Sequence, residues 1–355
     1  MSAVDEKKVE QFMGRMVGHM TGAALCYGVW LGDELGLYRA LRDSGAAVGA
    51  DAVAKKAGCN PRLVREWLDA QAAGGLIEYD GKADTYRLSP EGAMVLADDG
   101  APTFVARAMN AVGSFFIDME KVKKAFKGDG ALAWADHHHS LFNGTEWFFR
   151  TGYRAFLPTA WIPALEGVKA KLEKGAKVAD VGCGHGASSV VMAQAFPKSK
   201  FFGFDFHAPS IEIAKKRAAE AGVSDRTSFE VANAKSYQGT FDLICFFDCV
   251  HDMGDPVGIL RHARERLSPD GTVLAVEPFA LDGRATNIAQ NPMAALLYTA
   301  SSAICTPNSL SQEVKLGLGA QAGEKRLGEV FKEAGFKSFR KAAQTPLNLI
   351  LEAKV

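Results

Sequence analysis

A short apolar run that ends in an acid and three alternating glycines constrains this chain more than any other feature. It reads Lys177-Val178-Ala179-Asp180-Val181-Gly182-Cys183-Gly184-His185-Gly186. The pattern predicts a strand, a glycine-rich turn and a helix over Ala187–Phe196. Glycine lets a ligand approach the backbone, and the helix N-terminus stands behind it. Three alternate glycines that bound nothing would only weaken the start of that helix. A strand, turn and helix of this kind build a parallel α/β sheet, with ligands at the carboxyl ends of its strands.

The turn alone is ambiguous, because Gly182-x-Gly184-x-x-Ala187 also satisfies the dinucleotide fingerprint. Asp180 discriminates. A carboxylate at the end of the strand would face a pyrophosphate at short range, and like charges there repel. A ligand with a cationic amino acid part is favoured instead. S-adenosylmethionine carries an ammonium, a sulfonium and no phosphate, so D-x-G-x-G-x-G favours it over a nicotinamide dinucleotide. Asp205 closes the next strand, Lys200–Phe204, where a ribose-binding acid belongs for either ligand. A further strand, Phe229–Ala232, ends in Asn233-Ala234, an amide suited to adenine and a small neighbour that leaves room for the ring.

From residue 175 to 355 short apolar runs alternate with amphipathic stretches, the pattern of βαβ units. Strands are expected at Phe241–Phe247 and at Thr272–Val276, the second ending in Glu277-Pro278. Phe336–Ala342 and Leu347–Ala353 read as a closing pair. Residues 1–100 look different. Ala50–Ala57 is a short helix, Asn60 caps a second helix that begins with Pro61, and Asp80-Gly81 joins two short strands as a hairpin. Helix, turn, helix and hairpin make a winged helix. Residues 101–174 form a helical, aromatic-rich segment that contains Tyr153 and Arg154 and has the makings of an apolar acceptor pocket.

A winged helix often means DNA. The candidate recognition helix sets Arg62 and Arg65 against Glu66 and Asp69, and the wing sets Lys82 and Arg87 against Glu78, Asp80 and Asp84. The whole chain is equally balanced, with 41 Lys+Arg and 41 Asp+Glu. A groove-reading face should be basic, so dimerisation or a lid is expected there rather than nucleic acid. The stretch Met16–Gly32 is charge-free but only 17 residues long, with His19 and four glycines. That is short and polar for a membrane span and reads as a buried helix in a homodimer interface. The polar first ten residues do not resemble a secretory leader, and the six scattered cysteines read as reduced cytoplasmic thiols. Asp136-His137-His138-His139 reads as a polar loop, because neighbouring side chains on an extended segment diverge; no metal is expected.

The stretches VADVGCGHG, FGFD, ANA, FDLICFFDCVHDM and GTVLAVEP together resemble the class I S-adenosylmethionine-dependent methyltransferases from about residue 175 onward. The full layout is similar to winged-helix methyltransferases of the mycobacterial type and to plant and bacterial small-molecule O-methyltransferases. That resemblance implies a seven-stranded Rossmann-like α/β sheet behind an N-terminal helical, winged-helix dimerisation domain. It implies that Asp180, Gly182, Cys183 and Gly184 hold the methionine end of the cofactor, the last three mainly through backbone. Asp205 would take the ribose, Phe206, Asn233 and Ala234 would frame adenine, and Phe247 and Asp248 would line the crevice. In the O-methyltransferases the histidine of a His-Asp pair is the general base and a glutamate orients it; His251-Asp252 and Glu277 stand at those places. The implied activity is methyl transfer to a small apolar or aromatic acceptor, most simply at oxygen. Transfer to carbon or nitrogen, and a cofactor-responsive DNA-binding regulator, are the rival readings. Between Leu281 and Gly323 the chain departs from the plant pattern, and the second clamping glutamate of those enzymes is not placed.

Overall fold

In the computed structural model, which describes residues 4–355, the chain forms two units. The first three residues of the polar N-terminal stretch lie outside the described residues. One unit runs to Phe116 and includes His139–Thr151; the other comprises Ile117–His138 and Gly152–Val355. The segment 101–174 is thus shared between them.

The first unit begins with α1 (Glu6–Glu34), capped by the Asp5 side chain, which accepts from Lys8 N. Gly36, in the left-handed region at φ 70°, ends the run and starts α2 (Leu37–Arg42). Then come α3 (Ala50–Ala57), α4 (Pro61–Ala73), capped by Asn60, and the hairpin β1 (Glu78–Asp80) and β2 (Thr85–Arg87). The winged-helix expectation for this stretch matches the observed order. Leu37, Tyr38, Leu41, Val53, Val64, Leu68 and Tyr86 form its core.

The reading of Met16–Gly32 as a helix buried in a homodimer interface needs cover beyond one chain, which leaves most of the helix exposed. Only Gly28, Val29, Gly32 and Asp33 of α1 are buried, whereas Phe12, Met13, Met16, Val17 and Met20 are exposed. The reason is geometric. Glycines at 28 and 32 let α4 come close enough for Trp67 Nε1 to donate to Gly28 O at 2.8 Å, whereas residues 6–24 of α1 are exposed throughout.

The second unit holds a seven-stranded sheet: β3 (Lys177–Val181), β4 (Lys200–Asp205), β5 (Thr227–Val231), β6 (Phe241–Phe247), β7 (Leu267–Pro278), β8 (Ser338–Gln344) and β9 (Asn348–Lys354). Their order is β5-β4-β3-β6-β7-β9-β8, parallel except where β9 pairs antiparallel with β7 and β8. β3 and β6 are apolar almost throughout, as central strands covered on both faces must be. The order reverses beside β3, so the carboxyl ends of β3 and β6 open a crevice at the switch point. Among the described residues no helix is long and apolar enough to cross a membrane.

Candidate active site

The end of β3 delivers Asp180, which is buried. Its Oδ2 accepts from Ser188 Oγ and Ser189 Oγ, each at 2.6 Å, while its Oδ1 has no partner. Burial pushes its carboxyl up to about 6, against the pull of the two serines. A buried carboxylate oxygen without a partner is costly unless a cation or donor arrives.

The glycine turn follows with Gly182, Gly184 and Gly186 at φ 77°, 50° and 73°. A Cβ at Gly186 would come within 2.9 Å of Ala214 and Phe229, whereas one at Gly184 would meet nothing, so the turn opens to space at Gly184. The fate of its backbone donors is informative. Gly182 N and Cys183 N donate to Phe204 O at 2.8 and 3.2 Å, Gly186 N donates to Cys183 O at 2.8 Å, and Gly184 N donates to Asp205 Oδ2 at 2.9 Å. A phosphate-binding turn needs such N–H groups free to point at its anion. Here these four are spent inside the protein. The backbone role expected of Cys183 is thereby narrowed, because its N–H is engaged and its carbonyl already accepts once.

Asp205 closes β4 and also accepts from His207 N at 2.8 Å; burial raises its pKa against those two backbone bonds. Each of its oxygens keeps a further lone pair. Phe206 beside it is exposed. After β5, Asn233 Oδ1 accepts from Lys235 N at 2.9 Å, which leaves the side-chain amide as a donor next to half-buried Ala234.

At the end of β6, Phe247 packs its ring against Tyr153 at 5.2 Å, and Tyr153 meets Trp161 at 6.1 Å. Asp248 follows in the left-handed region at φ 51°, a strained placement for a side chain with a Cβ. It is fixed by Asp248 N donating to Val276 O at 2.7 Å and by Asn348 Nδ2 donating to its Oδ1 at 2.8 Å; its Oδ2 has no partner. Burial, with Glu277 nearby, holds this carboxyl well above its ordinary range.

The bend at Asp248 turns the chain back, so that His251 and Glu277 meet. His251 Nδ1 lies 2.7 Å from Glu277 Oε2, and Glu277 also accepts from Val250 N at 3.0 Å and His251 N at 3.2 Å. Both side chains are buried. Glu277 fixes the tautomer: Nδ1–H donates to it and Nε2 is left for other chemistry. Burial alone would lower the His251 pKa, but Cys305 and Glu277 outweigh it and hold the imidazole well above its ordinary range. Burial pushes the neighbouring Asp252 up to about 7.

Several participants were not singled out from the sequence. Ser188 and Ser189 carry no motif of their own, although they lie on the first turn of the helix Ala187–Ala195, where contact with the strand before the loop is natural. Asn348 and Cys305 come from distant segments. The histidine run lies in a loop at residues 137–138, where His137 is buried with Nδ1 3.1 Å from Asp118 Oδ2. Among the described residues no cluster suited to a metal is present.

Comparison with known proteins fits this geometry. The methyltransferase domain family matches residues 172–335, and the Rv2258c-like winged HTH domain family matches residues 23–98. A 27-O-demethylrifamycin SV methyltransferase from Amycolatopsis mediterranei is 33% identical over 113 residues, which is 31% of this chain and 41% of that protein. Less than half the length of each of the first curated relatives is matched. Over the full length the fold resembles human N-acetylserotonin methyltransferase in complex with SAM, with a TM-score of 0.69, 16% identity, and 100% and 99% of the two chains covered. It likewise resembles PigF with SAH, with a TM-score of 0.72, 17% identity, and 99% and 100% covered.

Proposed function

We propose that this chain, which joins a winged helix-turn-helix domain to a methyltransferase domain, methylates an oxygen of a small apolar or aromatic acceptor with S-adenosylmethionine as donor. The observation that carries the reading is the crevice at the switch point. It offers buried carboxylates with unpartnered oxygens at Asp180 and Asp248, a glycine turn whose donors are spent, and a glutamate-backed histidine. A cationic, phosphate-free ligand fits that set; a pyrophosphate does not.

Asp180 takes the cationic end of the amino acid part, and Gly182, Cys183 and Gly184 lie alongside it. Asp205 uses its remaining lone pairs on the ribose hydroxyls. Phe206, Asn233 and Ala234 frame adenine, and Phe247 and Asp248 line the crevice. Bound there, the donor supplies an electrophilic methyl group that needs no further activation. The protein therefore has to ready the acceptor. His251 takes the proton as the acceptor oxygen attacks, and Glu277 stabilises the imidazolium. Phe247, Tyr153 and Trp161 provide an apolar, aromatic setting for such an acceptor.

The winged helix acts in dimerisation. Arg62 pairs with Glu66 at 2.5 Å, Arg65 with Asp84 at 3.2 Å and Arg87 with Glu78 at 2.6 Å, so the arginines of the helix and wing are neutralised within the protein. Exposed Phe12, Met13, Met16, Val17 and Met20 on α1 are the surface a second copy would cover. All six cysteines are unpaired, in keeping with a reducing cytoplasm.

Titration calorimetry with S-adenosylmethionine, its demethylated product and NAD, followed by a labelled-methyl screen over phenols, carboxylic acids and amines, tests the reading. Binding of the first two and labelling of an oxygen acceptor is the expected result. Binding of NAD alone, or labelling confined to amines, would overturn it.

A further inference from the structure

We propose that Ser309, with Asn308 beside it, is a positioning residue for the base: it clasps the carbonyl side of the loop that carries His251 and so fixes where Nε2 sits. This rests on the reading of His251 given above. The loop is a single 3-10 turn, Val250–Asp252, that follows the strained bend at Asp248. Glu277 takes the donors of that turn, Val250 N and His251 N, together with the imidazole. A carboxylate only accepts, so Glu277 does nothing for the carbonyls of the same stretch. Buried carbonyls need partners as N–H groups do.

One segment supplies those partners. It comprises the short helix Thr306–Leu310 and the residues that follow it to Gly319. His251 O accepts from Gly319 N at 3.1 Å, Asp252 O from Asn308 Nδ2 at 3.2 Å, Met253 O from Ser309 Oγ at 2.9 Å and Gly254 O from Leu316 N at 3.0 Å. Ser309 is fully buried at the centre, and its Oγ also accepts from Gly317 N at 3.0 Å. One hydroxyl therefore ties the histidine loop to the strap that runs along it. Asn308 bridges in the same way, because its Oδ1 accepts from Trp134 N at 3.0 Å. The approach is so close that Gly254 tolerates no side chain: a Cβ there would come within 2.6 Å of Glu313 O. Val314 and Lys315, at φ 69° and 56°, sit in the left-handed region to close the strap. A β-branched residue held there is a strained conformation that surrounding contacts must sustain.

A base must stand within hydrogen-bond reach of the acceptor oxygen as it attacks, and a misplacement of roughly 1 Å can cost about 10²-fold in rate. Glu277 sets the tautomer and holds the Nδ1 edge of the ring. The backbone beneath the ring sets where the Nε2 edge lies, and Ser309 and Asn308 hold that backbone. Their part in the reaction is to act through His251. A matched residue elsewhere separates this role from packing. Ser199 is equally buried at the amino-terminal edge of the sheet, just before β4; its Oγ donates to Leu172 O at 2.8 Å and accepts from Ala176 N at 3.0 Å. It does for the foot of the sheet what Ser309 does for the histidine loop.

The test compares Ser309→Ala with Ser199→Ala in the full-length protein. Both should lower the urea unfolding midpoint, since each strands the same kinds of backbone group. Ser309→Ala alone should lower kcat, by about tenfold, with acceptor KM and cofactor affinity within roughly threefold of wild type. Adding Asn308→Ala should deepen the loss to about 10²-fold. A second arm needs no turnover. Nuclear magnetic resonance of protein labelled at histidine follows the His251 Nδ1 proton that Glu277 accepts. Its exchange with water should quicken by about tenfold in Ser309→Ala and stay at the wild-type rate in Ser199→Ala. Equal kcat in the two single variants, or an unchanged Nδ1 proton in Ser309→Ala, would overturn the proposal. Wild-type turnover in His251→Ala would instead sink the reading of His251 as base, while proton exchange still decides whether Ser309 holds its loop.

Discussion

A carboxylate of the winged-helix unit and two at the crevice of the sheet unit are buried in opposite ways. In the winged-helix unit, buried Asp33 is fully answered. Arg39 Nη1 reaches its Oδ1 at 3.0 Å and Arg107 Nε its Oδ2 at 2.9 Å, and Arg107 lies over the Trp147 ring at 4.3 Å. In the sheet unit, Asp180 and Asp248 each leave a buried oxygen without a partner, and burial lifts both pKa values. A charge buried for structure is paired, since an unpaired one destabilises the fold. A carboxylate left unpaired in a crevice is a candidate for function, and the proposed cofactor would bring the missing cation.

That contrast is easiest to break at the reaction itself. His251→Ala and His251→Gln should lower turnover by about 10²–10⁴-fold while cofactor affinity stays within about threefold, read by labelled-methyl assay and calorimetry. Wild-type turnover in both would remove His251 from the chemistry.

Next comes Asp33→Ala. Stranding two partly buried arginines should cost about 2–3 kcal/mol in urea unfolding, discounted for their partial exposure, with cofactor affinity unchanged. Asp180→Asn should act with the opposite sign on stability. The Asp180 carboxyl titrates near 6 folded against 3.8 unfolded, so its charge burdens the fold above pH 6, and the burden fades as pH falls towards 3.8. The variant should therefore unfold at higher temperature at pH 7.5, by up to roughly 3 kcal/mol, and bind the cofactor about 10–100-fold more weakly. A variant that loses stability and keeps affinity would make Asp180 structural, like Asp33.

The smallest effect is expected on the wing. Arg62→Ala with Arg65→Ala should leave the urea unfolding midpoint and the retention on duplex DNA at low salt unaltered, because both side chains sit in exposed ion pairs. A clear drop in retention would restore the regulator reading.

Much of this was legible in the sequence. Asp180, Asp205 and Glu277 stand at strand ends, where position along an apolar run reveals where a side chain will emerge. The winged helix was legible through Asn60-Pro61 and Asp80-Gly81, which set local geometry without help from elsewhere. What could not be read depends on distant pairing. Nothing around Asn348 reveals that it meets Asp248. Nor does the sequence reveal that His137 meets Asp118, which Lys121 and the backbone of His138 also reach. The apolar composition of α1 records a wish for burial that one chain does not satisfy over residues 6–24.

The central claim is that the unpartnered carboxylate of Asp180 awaits a cation, and proton linkage tests it most directly. S-adenosylmethionine is titrated calorimetrically near pH 6 in two buffers of different ionisation enthalpy, with wild type and Asp180→Asn. Because Asp180 is about half protonated there and must ionise to meet the cation, wild type should release roughly half a proton on binding and the variant none. Binding with no proton release in wild type, or equal release in both proteins, would contradict it.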